Sequence, residues 1–341
     1  MSPVEISSAH SRVVGIRHSL LIFNSLMHRY RETIAISCCF FLAYIVLLNS
    51  RAASDMALSS RAARDMTISS VVDDVKQSFS AFLERNYRVY FINMESSFAR
   101  RLKMEDRLGF LGGKVTRVSG VNFSDPNSAT QLSHGLETAA PSARPGHTKA
   151  DVRYLRLLGC SLSHLMVYEQ AWKDDVDVAL VLEDDIVLDL VPFWTTTFEN
   201  LIDALPINWT LVQLSITATR ETYATLRNNT ARTTLKHDNG LEIWGTVAYL
   251  ISRNGIKSML ETYLIGPHTF DLSGPLCIEA DDCILPFGVP PGTIHIATPP
   301  WFTNDPGGDT LVPGQDTSIA ILSYRESVSW NFASWIQQSK L

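Results

Sequence analysis

Three consecutive carboxylates, Glu183, Asp184 and Asp185, follow directly on the apolar run of residues 178–182 (VALVL). Adjacent acids repel one another unless a cation neutralises them, and hard divalent cations take oxygen ligands. In an extended chain Glu183 and Asp185 project to the same side, so both could address one metal ion. A metal held this way typically holds a substrate's phosphates as well. The plainer reading is a polar loop after a strand, its acids solvated or capping a helix that begins near Val191.

A second cluster, Gly159-Cys160-Ser161-Leu162-Ser163-His164, ends nineteen residues before Glu183. A lone helical histidine more often makes a structural hydrogen bond than a catalytic one. Ser163 and His164 do not make a nucleophile pair, because neighbouring helix residues point about 100° apart and cannot form a hydroxyl–imidazole relay. No His/Cys group shows the ligand spacing of a zinc site, and Cys277 and Cys283 lack a partnering pair. A third cluster, Glu279-Ala-Asp281-Asp282, precedes Cys283. One of these carboxylates could act as a general base; the plainer reading is an acid favoured by a helix N-terminus. Asn93, Arg100 and Arg101 follow another apolar run and could meet a phosphate or a base, or simply line a surface helix. Neither a Walker A pattern nor a Rossmann glycine fingerprint is present.

These side chains need elements to hold them. Residues 88–93 (RVYFIN) predict a strand, 96–111 a basic amphipathic helix, and 114–121 (KVTRVSGV) a second strand with period-two alternation. Residues 122–149, rich in Ser, Pro, Gly, Ala and Thr, predict a long loop of the kind that serves as a lid or insertion. A helix over 152–172, strands over 178–182, 211–216 and 245–252 (GTVAYLIS), and a helix over 253–264 continue the alternation. Strands alternating with helices imply an α/β fold with a mostly parallel sheet and helices on both faces. Ligands in such sheets bind at the carboxyl ends of the strands.

The 341 residues carry 29 Lys and Arg against 35 Asp and Glu, a net charge of −6, and four basic but two acidic side chains lie in the first 50 residues. The acidic body argues against nucleic-acid binding, which draws its affinity from cations on phosphates. Hydrophobic residues at 45% and charged residues at 19% exclude a disordered chain, and five cysteines exclude a disulfide-dense scaffold. Residues 34–48 (IAISCCFFLAYIVLL) hold no charge; with Thr33, Asn49 and Ser50 the segment reaches the span of a thin membrane. It is apolar on every face, unlike an amphipathic core helix. No clear small-x-small cleavage site follows, which favours a retained signal-anchor over a cleaved signal. Acceptor sequons at Asn122, Asn208 and Asn228 all lie C-terminal to it, which favours a lumenal body. Residues 51–60 are echoed by 61–70 at seven of ten positions, too short a repeat for a solenoid.

The order of the motifs is more specific than any one of them. Val89-Tyr-Phe-Ile-Asn93 with Arg100 and Arg101, Gly159-Cys-Ser-Leu-Ser163-His164, Leu180-Val-Leu-Glu183-Asp184-Asp185, Gly245-Thr-Val-Ala-Tyr249-Leu-Ile-Ser252 and Asp281-Asp282 together resemble glycosyltransferase family 25 over residues 88–318. That family includes bacterial lipooligosaccharide galactosyltransferases and collagen hydroxylysine galactosyltransferases. The resemblance implies a GT-A-like, Rossmann-type α/β fold. It also implies an inverting transfer of galactose or glucose from a UDP-sugar to a hydroxyl of a glycan or protein acceptor. Under it Glu183 and Asp185 hold Mn2+ in a DxD-like motif, and Asn93, Arg100, Gly159, Ser163, His164 and Asp184 belong to the donor site. Asp282 is the base and Asp281 the reserve. Family members commonly carry an acid where this chain has Leu157, and residues 122–149 have no recognisable family sequence, which leaves the acceptor open. The rival reading is a degenerate transferase that binds carbohydrate or acts as a scaffold without turnover; retention of all three acids counts against it. The expected organisation is a cytoplasmic tail (1–32), a transmembrane signal-anchor (33–50), a stalk (51–87), a catalytic domain (88–325) and a C-terminal tail (326–341). This describes a single-pass type II protein of the Golgi or ER membrane with a lumenal body.

Overall fold

The computed structural model describes residues 76–122, 152–228, 234–236, 243–271, 280–281, 290, 292–305 and 317–338. The expected tail, anchor and most of the stalk, nearly all of the 122–149 loop, and Asp282 lie outside these residues. Among the described residues no helix is long and apolar enough to cross a membrane.

The strands in chain order are β1 (Tyr87–Met94), β2 (Val115–Gly120), β3 (Val178–Glu183), β4 (Ile186–Val187), β5 (Leu211–Gln213), β6 (Thr217–Ala218) and β7 (Thr234–Lys236). They continue with β8 (Ile243–Trp244), β9 (Ala248–Ser252), β10 (Leu264–Gly266), β11 (Thr269–Phe270), β12 (Ile294–Ala297) and β13 (Thr303–Asn304). Seven of them form one sheet in the order β2-β1-β3-β9-β5-β12-β7. β2, β1 and β3 run parallel, β9 is inserted antiparallel between β3 and β5, β12 is parallel to β5, and β7 reverses at the edge. The sheet is therefore mostly parallel, as the βα alternation implies. Its register sets Asn93 opposite Ser119 and Ile92 opposite Glu183, so the carboxyl ends of β1, β2 and β3 finish at one level.

The helices are α1 (Ser80–Glu84), α2 (Phe98–Leu108), α3 (Val152–Lys173), α4 (Phe198–Asp203), α5 (Arg220–Asn228), α6 (Arg253–Tyr263) and α7 (Thr317–Gln338). Strand alternation divides the core between the two faces of the sheet. Tyr90, Ala179, Val181, Tyr249 and Ile251 pack against Leu158, Leu162 and Leu165 of α3 and Ile256 and Met259 of α6. Val89, Phe91, Leu180, Leu182 and Leu250 pack against Phe82 of α1, Met104 and Leu108 of α2, and Phe198 and Leu201 of α4. Two caps fix helix starts: Ser252 Oγ accepts from Gly255 N at 3.2 Å ahead of α6, and Thr197 Oγ1 accepts from Asn200 N at 3.3 Å ahead of α4.

Both ends of the body extend past the expected boundaries. Phe79 and Phe82, within the expected stalk, are fully buried in the second core. At the other end α7 runs unbroken through residues 325 and 326, and Trp330 and Asn331 beyond them are buried. Asn208 and Asn228, two of the sequon asparagines, are exposed.

Candidate active site

The acids stand where the sheet rule puts a ligand, at the carboxyl end of β3 between the ends of β1 and β9. Their local geometry differs from the extended pattern expected. The strand stops at Glu183, and Asp184 and Asp185 form a turn before β4, so side-chain alternation does not govern them. The three carboxylates face different neighbours, with Arg100 shared between Asp184 and Asp185.

Asp184 is buried and faces the end of β1. Its Oδ2 accepts from Asn93 Nδ2 at 2.7 Å and its Oδ1 from Arg100 Nη1 at 2.6 Å. Burial pushes its carboxyl up, against the pull of Arg100 and the Asn93 amide. Asn93 is in turn fixed by Arg117 Nε, which donates to its Oδ1 at 3.1 Å. Thus Asn93, Arg100 and Asp184, all expected at the donor site, are joined into one buried brace that orients the acid turn from α2 and β1. Leaving a buried carboxylate without its guanidinium is strongly unfavourable. Arg100→Gln is therefore expected to cost about 3 kcal/mol of stability, read as a lowered denaturant midpoint with an unchanged slope.

Asp185 lies 3.6 Å from Arg100 Nη2 through Oδ2, while its Oδ1 is buried with no hydrogen-bond partner. Burial and the neighbouring Glu183 charge push its carboxyl up to about 7. The main chain here is pinned from the far side: Asp305 N donates to Asp185 O at 2.6 Å beside the antiparallel β4–β13 pair.

Glu183 faces α3. Its Oε1 accepts from Thr246 Oγ1 at 2.9 Å and stands 3.5 Å from His164 Nε2. Burial works to raise this carboxyl, but His164, Thr246 and Arg100 outweigh it and hold it below the usual carboxylate range. His164 is wholly buried, with Nδ1 2.9 Å from the Tyr249 hydroxyl, which is itself 2.7 Å from the Tyr168 hydroxyl. Ser163 Oγ donates to Gly159 O at 2.6 Å and accepts from Val121 N at 2.8 Å, fastening the end of β2 to α3. Gly159, Ser163 and His164 thus make structural hydrogen bonds along α3, and those of the Ser163 hydroxyl go to main-chain atoms. The sequence offered no zinc-type spacing, yet Cys160 and His164, four apart on α3, meet Glu183 with one ligand atom from each within 4.8 Å of the others. The i, i+4 spacing was the available signal; the third member comes from the sheet.

Asp281 is brought in from a distant segment. Its Oδ2 accepts from Gly245 N at 2.9 Å. Gly245 has φ +105°, where a Cβ would be strained and would meet Thr217 Oγ1 at 3.0 Å. Its carbonyl and that of Trp244 accept from Gln213 Nε2 at 2.8 and 3.0 Å, which ties the turn to the end of β5. Gln213 and Thr246, absent from the expected site, are therefore parts of its frame. Burial drives the Cys160 thiol far up, and the negative charges of Glu183, Asp281 and Asp185 act in the same direction.

This arrangement fits a divalent cation. Asp185 Oδ1 is an orphaned buried oxygen and Glu183 supplies a second carboxylate, whereas Asp184 is spent on the Arg100 brace. Acids at the carboxyl end of the inner strand β3 are those of an α/β protein that meets its ligand beyond the strand ends.

The sequence matches, over residues 86–273, the family described as glycosyltransferase family 25 (LPS biosynthesis protein). That stretch is more than half of the chain, and the chain belongs to this family; it is a glycosyltransferase. Among solved structures it is similar to the crystal structure of mouse xyloside xylosyltransferase 1 in its apo form, at 15% identity and a TM-score of 0.32, covering 62% of this chain and 71% of that one. No curated protein matches it.

Proposed function

We propose that the chain is an inverting, metal-assisted hexosyltransferase of GT-A-like architecture, moving galactose or glucose from a UDP-sugar to an acceptor hydroxyl. The observation that carries this reading is the pair Glu183 and Asp185 at the carboxyl end of β3, with an unsatisfied buried oxygen on Asp185, and Asp281 bound to Gly245 N next to Thr246, which donates to Glu183. A divalent cation such as Mn2+, held by Glu183 and Asp185, would neutralise the departing diphosphate.

The chain's own residues do the rest. Arg100 and Asn93 hold the acid turn in place through Asp184, and Gly159, Ser163 and His164 keep α3 against the sheet as the wall of the donor pocket. Inversion requires a carboxylate that takes the acceptor proton on the face opposite the leaving group. Asp281 is engaged by the Gly245 N–H, which suits it to anchoring the segment, and Asp282 beside it is the base. We further place the body in the lumen of the secretory pathway, behind an anchor at residues 33–50, on the strength of the uncharged apolar run and the sequons alone.

Calorimetric titration of the full-length chain with UDP, with and without Mn2+, tests the donor site. Binding that requires the metal is the expected result. Equal binding without it removes the metal from the mechanism, and no binding by a folded sample under either condition overturns the UDP donor.

A further inference from the structure

We propose that Cys160, His164 and Glu183 form a site for a borderline divalent cation of the zinc(II) class, on the α3 side of the acid cluster. One sulfur, one nitrogen and one oxygen lie within 4.8 Å of one another. Ligands of a tetrahedral zinc are roughly 3.4–3.8 Å apart, as follows from metal–ligand distances of 2.0–2.3 Å. The His164–Glu183 pair at 3.5 Å is already at that spacing. Cys160 and His164 share one helix face, so a small change in the cysteine side-chain torsion closes the set.

A second observation points to a ligand independently. His164 is 0% exposed, and its Nε2, although 3.5 Å from Glu183 Oε1, makes no well-formed hydrogen bond. A buried polar nitrogen left this way is costly, and a cation at Nε2 satisfies it. The other ring nitrogen is held by the Tyr249 hydroxyl, backed by Tyr168. In a metal-binding histidine one ring nitrogen is tied to a fixed partner, as Nδ1 is here to the Tyr249 hydroxyl, and the other is left to present its lone pair. Asp185 and Asp281 add negative charge around Cys160. Three protein ligands leave a fourth position for water or a substrate oxygen, and thiolate with imidazole favours zinc over magnesium or calcium.

The inference deepens the metal-assisted reading by sharing Glu183 with it, but it is tested by metal binding alone, without donor or turnover. The full-length chain, stripped with a chelator, is titrated with Co2+ and followed by absorption. One equivalent is expected to give tetrahedral visible bands and a thiolate-to-cobalt charge-transfer band. Cys160→Ser should lose the charge-transfer band, while Cys277→Ser and Cys283→Ser keep it. Tyr249→Phe should weaken cobalt binding roughly 10–100-fold. X-ray absorption of the zinc-loaded wild type, which needs no variant to fold, should show one sulfur at about 2.3 Å. An oxygen-only, octahedral cobalt spectrum overturns the proposal, as does a charge-transfer band that survives Cys160→Ser or a failure to take up cobalt. UDP binding that still depends on Mn2+ in any of those cases leaves the donor-site reading standing.

Discussion

Asp185→Asn is expected to lower kcat roughly a thousandfold, the several kcal/mol that a metal supplies to a developing charge, while the fold is kept. The asparagine is nearly isosteric, and its neighbours on β4 and β13 are held by main-chain bonds that do not involve the carboxylate. Stability supplies a second readout with a definite sign. Without metal, burial and the Glu183 charge push the Asp185 carboxyl up to about 7. A carboxyl raised in the folded state contributes its stability fully below its unfolded pKa of about 3.9, and that contribution is lost as pH rises through about 7. The asparagine has no charge to bury. In chelator, the melting temperature of the variant should therefore gain on that of wild type as pH rises from about 4 to about 7. With saturating Mn2+ the order should reverse, because only wild type is stabilised by the bound ion. Near-normal turnover with Mn2+ would sink the ligand assignment; a melting difference flat with pH would show that Asp185 is not a strained buried acid.

Part of the sheet was readable: β1, β3 and β9 are long enough to show a pattern and are largely buried, whereas β7 and β12, three and four residues long, went unread. Residues 178–182 form an unbroken apolar run, and residues 88–93 and 248–252 nearly so, which is the mark of a central strand covered by helices on either side. Strands of two residues, such as β4, β6, β8 and β13, present no period at all, and only their tertiary partners create them. The helix α7 was hidden for a different reason. Its buried face carries Ser323, Ser327 and Asn331 beside Trp330. Asn331 Nδ2 donates to Pro300 O at 2.7 Å, and Ser327 Oγ is 3.3 Å from the Tyr223 hydroxyl. Polar side chains satisfied across an interface erase the apolar stripe by which a helix is recognised.

The site was legible as a set of residues and less so as a set of roles. Glu183 and Asp185 stand at the carboxyl end of β3, and Asp281 reaches the neighbouring Gly245 turn from a distant segment. Asp184, the middle acid of the motif, instead turns inward to Asn93 and Arg100, because the strand ends one residue before it and the alternation argument lapses there. Cys160 was set aside for want of a zinc-type pair in sequence. Its partner His164 is one helical turn away, but Glu183 arrives only when β3 packs against α3, and no spacing rule spans that distance. Gln213 acts through two hydrogen bonds to the carbonyls of Trp244 and Gly245, and Thr246 through one to a carboxylate. Such roles leave no mark in a sequence read alone.

On the proposed mechanism the neighbouring acids at 281 and 282 separate positioning from catalysis, and their variants should fall far apart. Asp282→Asn is expected to reduce kcat roughly 10²–10⁴-fold, the contribution of a general base, with the calorimetric Kd for UDP unchanged. Asp281→Asn keeps an oxygen that can accept from the Gly245 N–H, so the link between this segment and the β8–β9 turn survives; a fall in kcat of less than about tenfold, the scale of one neutral hydrogen bond, is expected. Asp281→Ala removes that acceptor and should lower kcat further without reaching the Asp282→Asn value, because the base itself is retained. The contrast turns on chemistry rather than volume, since all three changes are small. If Asp281→Asn proves the more damaging of the two isosteric changes, the base is Asp281 and its bond to Gly245 is what aims it. If Asp282→Asn abolishes UDP binding instead of turnover, Asp282 belongs to the donor pocket and the acceptor proton leaves by another route.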